Sequence, residues 1–137
     1  MFLMLASWAD CLLLIVAALG RDELEHLYGL ARAAGLDVLV EVHDESELEV
    51  ALDIGSEMIG VNQRDLFTFE VDTERAVRVG ASMPDGVVKV AESGIRDAAD
   101  ARIMLEAGFD AILVGETLVR SSDPVAELRS LLIPRTH

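Results

Sequence analysis

Five short apolar runs recur at intervals of roughly 20 to 30 residues, and each is followed by a stretch with helical spacing. They are CLLLIV (11–16), VLVEV (38–42), MIGVN (58–62), VVKVA (87–91) and AILVG (111–115). Each is too short for a buried helix and of ordinary strand length. Between them lie amphipathic segments. Residues 21–35 place Leu24, Leu27, Tyr28 and Leu30 at helical spacing and end in Gly35. Residues 44–55 offer Ser46 as an N-cap and a face of Leu48, Ala51 and Leu52. Helices are also expected over 72–79, over 96–108 ending at Gly108, and over 123–132, where Asp123 precedes Pro124. The pattern is βα repeated five times. Strands without a polar face, separated by helices, require a parallel sheet covered by those helices. An open doubly wound sheet and an arc of a (β/α)8 barrel both satisfy it. No GxGxxG follows any strand, so nothing supports a dinucleotide fold.

Charge narrows the partners. With 25 acidic and 11 basic residues, the formal charge of −14 repels nucleic acid and anionic membranes. The first 19 residues are apolar enough to suggest a membrane segment. Asp10 interrupts them and no basic residue precedes them, so neither a spanning helix nor a signal peptide is expected. Residues 1–8 read instead as an apolar leader, residues 9–137 as one domain, and the location as cytoplasmic. Cys11 is the single cysteine, which excludes an intrachain disulfide, and no Cys/His cluster has metal-ligand spacing. His26, His43 and His137 are scattered and read as surface or edge histidines.

The chemistry is concentrated at the strand ends. In either architecture ligands bind at the carboxyl ends of the strands. Those ends read VEVHD, VNQRD, AESG and VGET in succession. Glu41 lies between Val40 and Val42 inside an apolar strand, where a carboxylate must be paired or functional. Period-two alternation puts Leu39, Glu41 and His43 on one side, and Gly60, Asn62 and Arg64 likewise. Ser93-Gly94 and Gly115-Glu116 on adjacent strands offer clustered backbone N–H groups suited to a phosphate. Lys89, the only lysine, reads as an interior or ion-paired structural residue, and Asp65 and Asp72 as turn and cap residues.

The segments LLLIVAAL, VLVEVHDESELEVAL, IGVNQRDLFTFEVD, VAESGI and AILVGETLV…DP together resemble indole-3-glycerol-phosphate synthase, from about Ala9 to Leu132. The resemblance implies strands 4–8 of a (β/α)8 TIM barrel. It implies ring closure of 1-(2-carboxyphenylamino)-1-deoxyribulose 5-phosphate, with loss of carbon dioxide and water, in tryptophan biosynthesis. No cofactor or metal is implied. Carried over residue by residue, Glu41, Asn62 and Ser93 match catalytic positions, and Arg64 and Glu92 substrate-binding ones. Gly94, Gly115 and Glu116 match the phosphate site, where the Glu116 backbone rather than its carboxylate would bind.

The resemblance begins at the family's fourth strand. The family's two catalytic lysines and one active-site glutamate therefore have no counterpart in these residues. The expectation is a truncated carboxyl-terminal five-eighths of the enzyme, inactive alone. It would self-associate through open barrel edges, because five strands cannot close a barrel that needs eight. A sugar-phosphate-binding half-barrel and an assembly subunit are the alternatives.

Overall fold

The computed structural model describes residues 9–65 and 68–134; the expected leader and His137 lie outside the described residues. Among the described residues five strands form one sheet: β1 (Cys11–Ile15), β2 (Asp37–Val42), β3 (Met58–Asn62), β4 (Val88–Glu92) and β5 (Ala111–Leu113). A 3-10 turn, Val16–Ala18, follows β1. The helices are α1 (Arg21–Ala33), α2 (Glu45–Asp53), α3 (Thr73–Ser82), α4 (Ala98–Glu106), α5 (Glu116–Arg120) and α6 (Pro124–Leu131).

All neighbouring strands are parallel, and the sheet order is β1-β2-β3-β4-β5. A doubly wound sheet reverses its strand order at a switch point. This sheet never reverses, so it is an arc of a barrel. One face meets the helices. There Leu12, Leu14, Val38, Val40, Val42, Ile59, Val61 and Ala91 join Leu24, Leu48, Ala76, Val79 and Met104 in a single core. Leu24 is wholly buried, and burying such a side chain contributes about 1.5–3 kcal/mol. The other face, the concave side of the arc, is covered only in part. Leu13 is 42% and Leu113 50% exposed.

Among the described residues, aspartates start four of the helices. Asp44, Asp72, Asp97 and Asp123 accept backbone N–H groups of α2, α3, α4 and α6. Each such cap contributes about 1 kcal/mol. The backbone hydrogen bond from Glu47 also holds the Asp44 carboxyl below its usual range. Part of the chain's acidity is therefore structural.

Several expectations need correction. Ser46 does not cap α2: Asp44, one residue before the helix, accepts the Glu47 N–H, and the Ser46 hydroxyl donates to Asp44. Leu30 is exposed and Ala31 takes the buried position on α1. Lys89 is neither interior nor ion-paired. It pairs in register with Ile59 on the helix side, and its ammonium donates to the Gly80 and Met83 carbonyls at 2.9 and 3.2 Å. A cation there satisfies carbonyls left over at the end of α3. β5 stops at Leu113, and the expected strand residue Gly115 is the N-cap of the short helix α5.

Candidate active site

Register brings the polar residues into rows. Ile15, Glu41, Gly60, Val90 and Ala111 lie side by side across the sheet. Two residues further on, Asn62, Glu92 and Leu113 form the next row on the same, concave face. Glu41 and Glu92, 4% and 3% exposed, are thus carboxyl groups in a nearly dry place. Asn62 donates its side-chain N–H to Glu41 Oε1 at 2.9 Å, and its own Oδ1 accepts the Arg64 N–H at 3.0 Å. The amide therefore ties the end of β3 to β2.

Gly60 makes room for this group. A Cβ at Gly60 would overlap the Glu92 carboxylate, which lies across the glycine towards Glu41. Burial, then the charge of Glu41 and a hydrogen bond with it, push Glu92 up to about 8 from an ordinary 4.5. Glu92 Oε1 is buried with no hydrogen-bond partner. A buried polar atom left unpaired is costly, and groups so perturbed concentrate at functional sites. Gly60→Val is expected to expel the Glu92 carboxylate and destabilise the chain by about 1–3 kcal/mol, as overpacking does. Urea unfolding at pH 7 measures it; unchanged stability would show that Glu92 does not occupy the slot.

The second half of the site is an open groove of about 820 Å3. Arg64, Ser93, Gly94, Arg96, Gly115, Glu116, Thr117 and Arg120 are among its lining residues. Ser93 and Gly94 both have positive φ, 62° and 67°. For Ser93 that backbone is strained, and such outliers cluster at ligand sites. Two bonds hold the loop from the β3 and β5 sides: Gln63 Nε2 donates to the Ser93 carbonyl at 2.8 Å, and Thr117 Oγ1 to the Ile95 carbonyl at 2.7 Å. Gly94 is required twice over, because a Cβ there would also stand 2.5 Å from Val71 Cγ1. Beside Gly115 the space is open, with nothing within 4 Å of such a Cβ.

The structure thus brings Glu41, Asn62 and Glu92 together, with Ser93, Gly94, Gly115 and Glu116 along the adjoining groove. Arg64 reaches the groove as one half of an ion pair. Its guanidinium meets Glu116 Oε2 at 3.0 Å, and Glu116 Oε1 also meets Arg120 at 3.0 Å. Pairs this exposed are worth about 0–1 kcal/mol, so an anionic ligand can displace them. The sequence reading missed three residues. His43 is buried, not at the surface, between Glu41 and Glu47. Gly60 and Gln63 were passed over; a glycine inside a buried strand was the available signal of a close approach.

Among the described residues no group of three or more His, Cys, Asp or Glu is arranged to hold a metal ion. None of their helices is long and apolar enough to cross a membrane.

Known proteins share the fold, and some share the family. The thiamine phosphate pyrophosphorylase of Pyrococcus furiosus superposes with a TM-score of 0.75 at 22% identity, over 95% of this chain and 61% of that one. The 3-hexulose-6-phosphate synthase of Salmonella typhimurium does so at 0.73 and 15%, over 94% and 63%. At such identities the likeness shows the barrel-type fold alone. Sequence relatives are nearer. Indole-3-glycerol phosphate synthase 2 of Streptomyces coelicolor is 49% identical over 127 residues, 93% of this chain and 49% of that protein. The Chlorobium phaeobacteroides indole-3-glycerol phosphate synthase is 50% identical over 115 residues, 84% of this chain and 45% of that protein. The chain spans about half the length of these curated relatives. The sequence profile of the family described as indole-3-glycerol phosphate synthase matches residues 5–131, and the chain belongs to that family.

Proposed function

We propose that this chain forms one side of a site that closes the indole ring of 1-(2-carboxyphenylamino)-1-deoxyribulose 5-phosphate, releasing carbon dioxide and water. The observation that supports it most is the buried Glu41–Asn62–Glu92 group, opening onto a groove lined by Gly94 and Gly115. Ring closure and dehydration move protons and develop charge on nitrogen and oxygen. An oriented carboxylate next to a second, protonated one suits that work. Glu41 is the reacting carboxylate in this reading. Asn62 fixes its orientation, and Glu92 supplies the protonated partner. Ser93 and Arg64 contact substrate, and the backbone at Gly94, Gly115 and Glu116 holds the phosphate. The reaction as a whole belongs to a closed barrel, of which these strands are an arc.

Binding is separable from turnover. Titrating the substrate into the isolated chain is expected to shift the amide NMR signals of Asn62, Ser93, Gly94 and Gly115 together. Inorganic phosphate alone should shift only those of the Gly94 and Gly115 segments. If the substrate leaves both segments unmoved, this side of the site does not hold it.

A second reading, assembly, is favoured by the edges. Among the described residues β1 and β5 each have a neighbour on one side only. Leu13 and Leu113 on these strands are exposed, as are Val119, Val125 and Leu132 beyond β5. Apolar strand edges invite pairing with another chain. Sedimentation at physiological salt is expected to show self-association; a monomer that binds no hydrophobic dye would dismiss it.

A further inference from the structure

His43 has no part in the roles assigned so far, and its surroundings are specific. Nδ1 lies 3.0 Å from Glu47 Oε2, and the same oxygen accepts the His43 backbone N–H at 2.8 Å. Glu47 is the third residue of α2, so this is a capping-box contact moved one residue back, onto the residue before the cap. An oxygen that already accepts one N–H takes a second from Nδ1, which fixes Nδ1 as the hydrogen-bearing nitrogen. Nε2 is buried without a hydrogen-bond partner. It faces Glu41 Oε1 at 3.5 Å, the oxygen that accepts from Asn62.

A bare Nε2 against a carboxylate oxygen would set lone pair against lone pair. A proton between them removes the conflict and satisfies both atoms. The gap is about 0.5 Å beyond a good hydrogen bond, and catalytic hydrogen bonds are often long in the unliganded state. We infer that His43 is a positioning residue for Glu41: its imidazole, anchored by Glu47, shares a proton with Glu41 Oε1 and holds that carboxylate against Asn62. The consequence for turnover rests on reading Glu41 as the reacting carboxylate; the contact itself does not.

The groups around the imidazole are few. Asp44 and Glu47 approach from the β2–α2 junction and Glu41 from β2 itself. Glu92 of β4 lies behind Glu41, across Gly60. β3 presents the neutral Asn62. On the β1 side Ile15 pairs with Glu41, and the following Val16–Ala18 turn carries no titratable group. Among the described residues the titratable groups facing the imidazole are therefore carboxyls, so a proton on Nε2 meets a carboxylate oxygen.

Nitrogen-15 NMR of the ring in the intact 137-residue chain tests this without any turnover, so an inactive chain leaves the result readable. At pH 7 Nδ1 should sit at the hydrogen-bearing end of its range in the parent and in Glu41→Gln. Nε2 should move between the two across much of the range that separates bare from hydrogen-bearing nitrogen. Glu47→Gln should release Nδ1 and give a mixture of tautomers. In His43→Gln the Glu41 carboxyl carbon-13 signal should also shift, while the Nε2 comparison is the readout that loss of packing alone would not move. Coincident Nε2 signals in the parent and Glu41→Gln, or a Glu41 signal indifferent to His43→Gln, would overturn the inference. Either result would leave substrate binding, and with it the proposed function, to stand on its own titration.

Discussion

Glu92→Gln is expected to make the chain more stable above pH 8 and to flatten its dependence on pH. Glu92 is pushed up to about 8, first by burial and then by Glu41, from an ordinary 4.5. Between these values the folded chain keeps a proton that the unfolded chain has released. Folding then binds protons, so stability falls as pH rises, by about 1.4 kcal/mol per unit for one group. Below 4.5 both states carry the proton and above 8 both have lost it, so the contribution is level outside the window. Summed across the window the loss is at most about 5 kcal/mol, a large share of the stability of a small domain. A glutamine keeps the shape, cannot ionise, and presents an N–H to Glu41. Urea unfolding at pH 5 and pH 9 measures the difference. The two proteins should diverge towards alkaline pH by a few kcal/mol, with the variant the more stable. Parallel curves would mean that Glu92 does not hold its proton in the folded chain.

The larger kinetic effect is expected at Glu41, in a barrel completed by the part of the Streptomyces coelicolor relative that this chain does not match. Glu41→Gln should lower kcat by about 100- to 10,000-fold, the usual contribution of one acid–base group. KM should change little, because the lost interaction acts on proton movement more than on binding. Glu116→Gln, which removes only exposed ion pairs, should alter kcat far less. Equal losses for the two variants would deny Glu41 a special role.

Much of the candidate site was legible because its residues contradict their surroundings. A glutamate between two valines, and an apolar strand that ends in Asn62, stand out in apolar runs whose period already implied parallel strands. The sequential strand order that decided for a barrel arc is a tertiary fact, and periodicity alone left two architectures open. The rest was hidden for local reasons. The AILVG run stays apolar past Leu113, so nothing in hydropathy marks where β5 ends and α5 begins. Asp44 and Ser46 are both good caps, and the choice depends on which oxygen reaches the Glu47 N–H. Lys89 turns to the helix side because alternation within β4 sends it there, next to the end of α3. His43 looked solvated because its partners lie on different elements: Glu47 across a strand-to-helix junction, and Glu41 two residues back on the same face.

We propose these strand ends as one side of a working indole-3-glycerol phosphate synthase site. Formation of indole-3-glycerol phosphate, followed by fluorescence, tests it most directly in two proteins: the isolated chain, and the barrel completed from the Streptomyces coelicolor relative. The expected result is negligible turnover by the chain alone and sustained turnover by the completed barrel, abolished by Glu41→Gln. A completed barrel that folds cooperatively, binds the substrate and yet forms no product would contradict the claim.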